Sequence, residues 1–78
     1  MGYYEVLKFL VNRRLISDDY YSIKTIAKNL ETTDDQIRGY CLRMEHEGYA
    51  EAKMSGDLIR NWNRVFRASR KALKEYKE

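Results

Sequence analysis

One spacing occurs twice in this chain and limits what it can become. Ile23, Ile26, Ala27 and Leu30 stand at i, i+3, i+4 and i+7, and Ile37, Tyr40, Cys41 and Met44 repeat the pattern. Apolar residues so spaced share one face of an α-helix and demand cover. Ser22, a good N-cap, precedes the first run. Thr33 precedes the second, with Gln36 three positions on. T-x-x-Q is a capping box, in which each side chain serves the other residue's backbone amide. Asp34 and Asp35 fall in the first turn, where the helix dipole favours negative charge. Gly48 supplies a left-handed stop. Only Glu31-Thr32-Thr33 separates the runs, so two short amphipathic helices joined by a tight turn are predicted.

The flanks read as follows. Tyr3, Leu7, Leu10 and Val11, widened by Val6 and Phe9, predict a helix from Tyr3 to about Arg13. Arg13 and Arg14 then suit the negative end of its dipole. Ser17-Asp18-Asp19 is a turn signal, and Tyr20-Tyr21 a very short strand. After Gly48 the period shortens towards two. Tyr49 to Met54 predicts an exposed strand, Ser55-Gly56-Asp57 a turn, and Leu58 to Trp62 the returning strand. From Asn63 or Arg64 to about residue 77, a last helix is predicted. Val65, Phe66, Ala72, Leu73 and Tyr76 form its apolar stripe, with Ser69 on the same side.

The expected class is therefore mainly α with a small β-hairpin (α+β). A three-helix core, a two-stranded hairpin over about 49–62 and a C-terminal helix over about 64–77 form one domain, residues 1–78. A domain of this size buries about 60–65% of its unfolded surface, which leaves little core from which to build a catalytic cavity. The single Cys41 excludes an intrachain disulfide framework. No segment reads as a signal peptide, and no apolar run approaches the roughly 20 residues needed to cross a bilayer. A soluble, cytoplasmic protein is expected, nucleoid-associated if the source is bacterial or archaeal.

The net charge of +3 is unevenly placed. Residues 1–50 hold seven Lys/Arg against eight Asp/Glu, and residues 51–78 hold eight against four. An anionic partner for the C-terminal half and an ordinary solvated helix face both explain the imbalance.

The segment from Ser22 to Trp62 resembles the winged helix-turn-helix superfamily. The similarity is carried by Ile26-Ala27, Leu30, Thr33, Ile37, Cys41, Met44, Glu45, Glu47, Gly48 and Tyr49 at their spacing. It places the helix-turn-helix at about 22–48 and makes the hairpin the wing. It departs from the pattern where Glu31 replaces a common Gly, Thr32 a common apolar residue, and Cys41 a common Leu. The resemblance implies binding of double-stranded DNA, because an α-helix fits the major groove and reads base edges there. The exposed face of the second helix of the motif holds Asp34, Asp35, Gln36, Arg38, Gly39, Leu42 and Arg43. The implied recognition contacts are Thr33, Gln36, Arg38, Gly39 and Arg43. The implied wing and backbone contacts are Lys53, Ser55, Arg60 and Arg64. Arg67, Arg70, Lys71, Lys74 and Lys77 would line the last helix opposite its apolar stripe. Phe66, Leu73 and Tyr76 on that stripe are candidate homodimer contacts, since two subunits would present two recognition helices about one DNA turn apart.

The leading expectation is a sequence-specific transcriptional regulator, controlled by abundance or by a partner rather than by a small-molecule ligand. Asp34 and Asp35 sustain a different class, a protein-interaction winged helix within a larger assembly. The basic C-terminal helix sustains non-specific nucleic-acid binding. Catalysis is not expected. The tyrosines have no Arg/His cluster around them, and Tyr3, Tyr40 and Tyr49 fit apolar faces. Trp62 reads as a core or wing-base residue. No cofactor and no metal are expected, because Cys41 and His46 lie about 140° apart on a helical wheel. Cys41 reads as a small core residue. Gly39 in a helix interior costs about 1 kcal/mol relative to Ala, which a close approach by a backbone would explain and simple tolerance would too.

Overall fold

The computed structural model describes residues 2–55 and 63–76. Among them the chain forms α1 (Tyr3–Ile16), β1 (Tyr21–Ser22), α2 (Ile23–Asn29), α3 (Asp34–His46), β2 (Ala50–Ser55), β3 (Asn63–Ala68) and α4 (Arg70–Tyr76). The class is α+β, with four helices and one three-stranded antiparallel sheet in the order β1-β3-β2.

Helix α1 is the spine of the core. Val6, Leu7, Leu10 and Val11 are fully buried along one face, against β3, α3 and α4. The helix runs one turn beyond its predicted end, and the Ser17 amide still bonds the Arg13 carbonyl. The added residues Leu15 and Ile16 are exposed, which is why the apolar pattern stopped at Arg13. Arg14 serves more than the dipole. It is nearly buried and reaches Glu51 at 3.1 Å, the Ala68 carbonyl at 3.1 Å and Asp18 at 3.1 Å. Arg67 joins the same carboxylate at 2.7 Å and donates to the Asp18 carbonyl. One carboxylate thus ties α1 to the two long strands.

The predicted helices α2 and α3 form as the caps require. Ser22 and Thr33 accept from the backbone amides of Thr25 and Gln36. The reciprocal half of the capping box is not made, because the Gln36 side-chain oxygen accepts from the Thr32 hydroxyl instead. Both helices end in the same way, with the two bonds of a Schellman motif. At α3 these are Gly48 N–H to the Glu45 carbonyl and Tyr49 N–H to the Met44 carbonyl. At α2 they are Glu31 N–H to the Lys28 carbonyl and Thr32 N–H to the Ala27 carbonyl. The left-handed position is Gly48 in one case, at φ 85°, and Glu31 in the other, at φ 54°.

The C-terminal part departs from the sequence expectation. Residues 63–68 are a strand, not the start of a helix. Their register against β2 runs from Ala50 opposite Ala68 to Ser55 opposite Asn63, while Tyr21 and Ser22 pair with Phe66 and Val65 on the other side. The predicted returning strand, Leu58 to Trp62, lies outside the described residues, as do Gly56 and Asp57 of the turn before it, while Ser55 of that turn is the last residue of β2. Helix α4 begins only at Arg70. Ser69 caps it: its hydroxyl accepts from the Ala72 amide and donates to the Gly48 carbonyl at 2.6 Å, joining α4 to the end of α3. Among the described residues Phe66 is the largest fully buried side chain. It cannot be a dimer contact, since it sits in the central strand and faces the core. Leu73 and Tyr76 also pack against this chain's own core, Tyr76 edge-on to Tyr4 and Tyr49. Cys41 is fully buried, as its place on the apolar stripe required, and burial pushes its thiol up to about 12.

Candidate nucleic-acid interface

Helix α3 presents its polar face outward, and Thr33, Asp34, Asp35, Gln36, Arg38, Gly39, Leu42 and Arg43 are all exposed. They do not converge on one spot. Arg38 and Arg43 are five residues apart, about 140° around the helix, and they serve different sides.

On one side, α3 meets the start of α2 and the β2–β3 hairpin across a cleft of about 640 Å³. Ser22, Ile23 and Lys24 line it from β1 and α2, Asp34, Arg38 and Leu42 from α3, and Met54, Arg64 and Phe66 from the hairpin. Three cations from three elements therefore share one concavity. Arg38 rests on Asp35 at 3.1 Å, and Arg64 on Glu45 at 2.6 Å. Lys24 carries no ion pair among the described residues. The apolar Leu42 and Met54 are 42% and 46% exposed in the same cleft.

On the other side, Arg43 lies over the Tyr3 ring, 4.4 Å from its centroid, and pairs with Glu47 at 3.5 Å. The Tyr3 hydroxyl donates to the same carboxylate at 2.5 Å. That hydrogen bond, reinforced by Arg43, holds Glu47 below the usual carboxylate range against the opposing effect of burial. Burial, followed by the bond to Glu47, raises the Tyr3 hydroxyl. Arg43 is thus seated against α1, away from the cleft.

The remaining expected contacts divide. Arg64 belongs to β3 and joins the cleft. Lys53 is exposed on β2, its ammonium 4.4 Å from the centroid of Tyr20. Ser55 ends β2 opposite Asn63. Arg60 lies outside the described residues. A Cβ built on Gly39 meets nothing within 4 Å, so no part of this chain requires glycine there. Of the cations assigned to the last helix, Arg67 is on β3 and engaged with Glu51. Lys71 donates to the Glu47 carbonyl at 2.9 Å and stacks on Tyr49. Arg70 and Lys74 are exposed and carry no ion pair among the described residues. Lys77 lies outside them.

Sequence reasoning missed Lys24 and Met54. Lys24 did carry a signal, because a cation in the first turn of a helix opposes the dipole and lacks a reason internal to the helix. Met54 carried none, since weak alternation cannot tell which face of a hairpin adjoins a helix.

Among the described residues no group of three His, Cys, Asp or Glu is placed to hold a metal ion, and no helix is long and apolar enough to cross a membrane. No family model matches this chain, and no curated protein matches it.

Proposed function

We propose that this chain binds double-stranded DNA as a winged helix-turn-helix domain and acts as a small sequence-specific regulator inside the cell. Helix α3 enters the major groove, and the β2–β3 hairpin follows the flanking backbone as the wing. The observation that carries this reading is the convergence of Lys24, Arg38 and Arg64 from three elements onto the concave side of α3. A groove-bound helix needs cations on its flanks, because phosphate contacts position the protein while base-edge contacts specify the sequence. Arg38 has the chemistry for guanine, and Gln36 for adenine. Short-range support comes from the α2–turn–α3 unit and from a sheet in which β1 braces the hairpin. A homodimer stays part of the proposal, because two copies of α3 read a longer site than one. Its contacts do not include Phe66.

Leu42 and Met54, exposed beside Asp34, favour a second reading, in which the same cleft receives a protein partner. Titration of mixed-sequence duplex DNA across a salt series separates the two. Three phosphate contacts give a slope of log K against log salt of about −2.7, and each cation removed makes it shallower by about 0.9. Arg38→Ala and Arg64→Ala are expected to weaken binding and flatten the slope. DNA affinity unchanged by both substitutions would sink the DNA reading, and absence of binding at low salt would favour a protein partner.

A further inference from the structure

Each arginine of the cleft has a carboxylate of α3 as its partner. Arg38 is held by Asp35 at 3.1 Å and Arg64 by Glu45 at 2.6 Å. With Asp34 in the cleft, three carboxylates accompany the three cleft cations Lys24, Arg38 and Arg64. These cleft charges balance three to three, although the chain as a whole carries +3. Such pairs are ordinary on a helix surface, but beside phosphate they carry a cost. Every phosphate that takes an arginine leaves a carboxylate unpaired beside the duplex, which repels it.

We propose that Asp35 and Glu45 are specificity-determining residues that hold the cleft arginines, Arg38 and Arg64, away from non-cognate phosphate. The inference rests on the DNA-binding reading above. The pairs are solvent-exposed, the side chains of Asp35 and Arg38 being 92% and 56% accessible, so they are weak enough to exchange. A phosphate offers one charge in return for one charge, and the exchange gains little. A guanine edge offers two acceptors to one guanidinium in a fixed geometry, and the exchange then adds base contacts that a random site lacks. The carboxylates therefore lower affinity everywhere and lower it least at the correct sequence.

The test uses the full chain with Asp35→Asn, Glu45→Gln and the double variant. Glu5→Gln, on the exposed side of α1, is the control for a change of one unit in net charge. Binding of mixed-sequence duplex DNA is measured across a salt series, with thermal melts to establish that each variant is folded. A unit charge about 7 Å from a phosphate in water corresponds to roughly a threefold change in affinity. Each single variant should bind random-sequence DNA about threefold tighter at low salt and the double variant about tenfold tighter, with a steeper salt slope. Glu5→Gln should change little. Should one variant lose its fold, the other carries the test, since the two pairs are separate. Binding by the double variant where wild type shows none supports the inference. Binding by wild type, weakened by Arg38→Ala but no tighter in the carboxylate variants than in Glu5→Gln, overturns the inference and leaves the DNA reading standing. No binding by any of these proteins overturns both.

Discussion

Replacing Phe66 by Ala separates the observed architecture from the one the sequence alone suggests. In the structure Phe66 is fully buried in β3, the central strand, between Tyr21 on one neighbouring strand and Ala52 on the other. A phenylalanine side chain buries about 150–250 Å², which at about 25 cal/mol per Å² is worth roughly 4–6 kcal/mol as an upper bound. The methyl that alanine keeps restores about 1 kcal/mol, and the remainder agrees with the roughly 3–5 kcal/mol measured for Phe→Ala in cores. A chain of this length is stable by about 4–12 kcal/mol in total. Phe66→Ala should thus remove a large part of that stability, enough to unfold the chain at the lower end of the range, and Phe66→Leu should lose clearly less. Circular dichroism melts at two protein concentrations measure this, with each kcal/mol expected to move the midpoint by about 4–8 °C. If Phe66 instead projected from an exposed helix towards a second subunit, Phe66→Ala would leave the monomer's stability almost intact and abolish a concentration-dependent dimer. That outcome would refute the strand assignment and the core built around it.

Three further outcomes are expected. Gly39→Ala finds open space and gains helix propensity, so it should raise stability by about 1 kcal/mol. If DNA affinity nevertheless falls, the glycine serves a close approach by the duplex; if affinity holds, it is only tolerated. At Glu31, whose φ is 54°, the glycine variant should be more stable than the valine variant by about 1–2 kcal/mol in urea unfolding, because a β-branched side chain clashes in the left-handed region. Acid should loosen the junction of α1 with the sheet. The bond from Arg67, helped by Arg14 and opposed by burial, holds Glu51 below the usual carboxylate range. Its stabilising contribution is present above the unfolded carboxylate pKa and is lost as pH falls through the lowered folded value. Melting points measured from pH 7 downwards should therefore fall less steeply in Glu51→Gln than in wild type. Parallel curves would show that the carboxylate's charge does not stabilise the fold.

The three helices up to Gly48 were legible because their information is local. Apolar spacing, Ser22 and Thr33 as caps, and Gly48 as a left-handed stop each act within a few residues. The short strand at Tyr20-Tyr21 was found one residue out of place, at Tyr21–Ser22. Residues 63–68, which form a strand, read as the start of the last helix because two periods fit them, whereas Arg70–Tyr76 is helical as expected. Val65, Phe66, Ser69, Ala72, Leu73 and Tyr76 lie on one helical stripe, yet Phe66 and Ala68 also alternate with Arg67 as a strand does. The deciding contact is the β2 register, which is not local, and Ser69 then acts as a cap rather than a member of the stripe. The site was legible residue by residue on α3 but not as a geometry. Nothing in the spacing of Arg38 and Arg43 shows that one faces the hairpin and the other Tyr3. The ion pair from Arg64 to Glu45 likewise spans elements whose approach depends on the whole fold.

The central claim is that α3 and the hairpin form the DNA-binding surface, and amide shift mapping tests it most directly. Isotope-labelled protein is titrated with duplex DNA while backbone resonances are followed by NMR. The account expects the largest changes around Lys24, from Thr33 to Arg43, and in β2 and β3 near Met54 and Arg64, with α4 little affected. Changes confined to Arg70 and Lys74 would contradict it in favour of non-specific binding through α4. A spectrum unaltered by excess DNA at low salt would contradict DNA binding altogether.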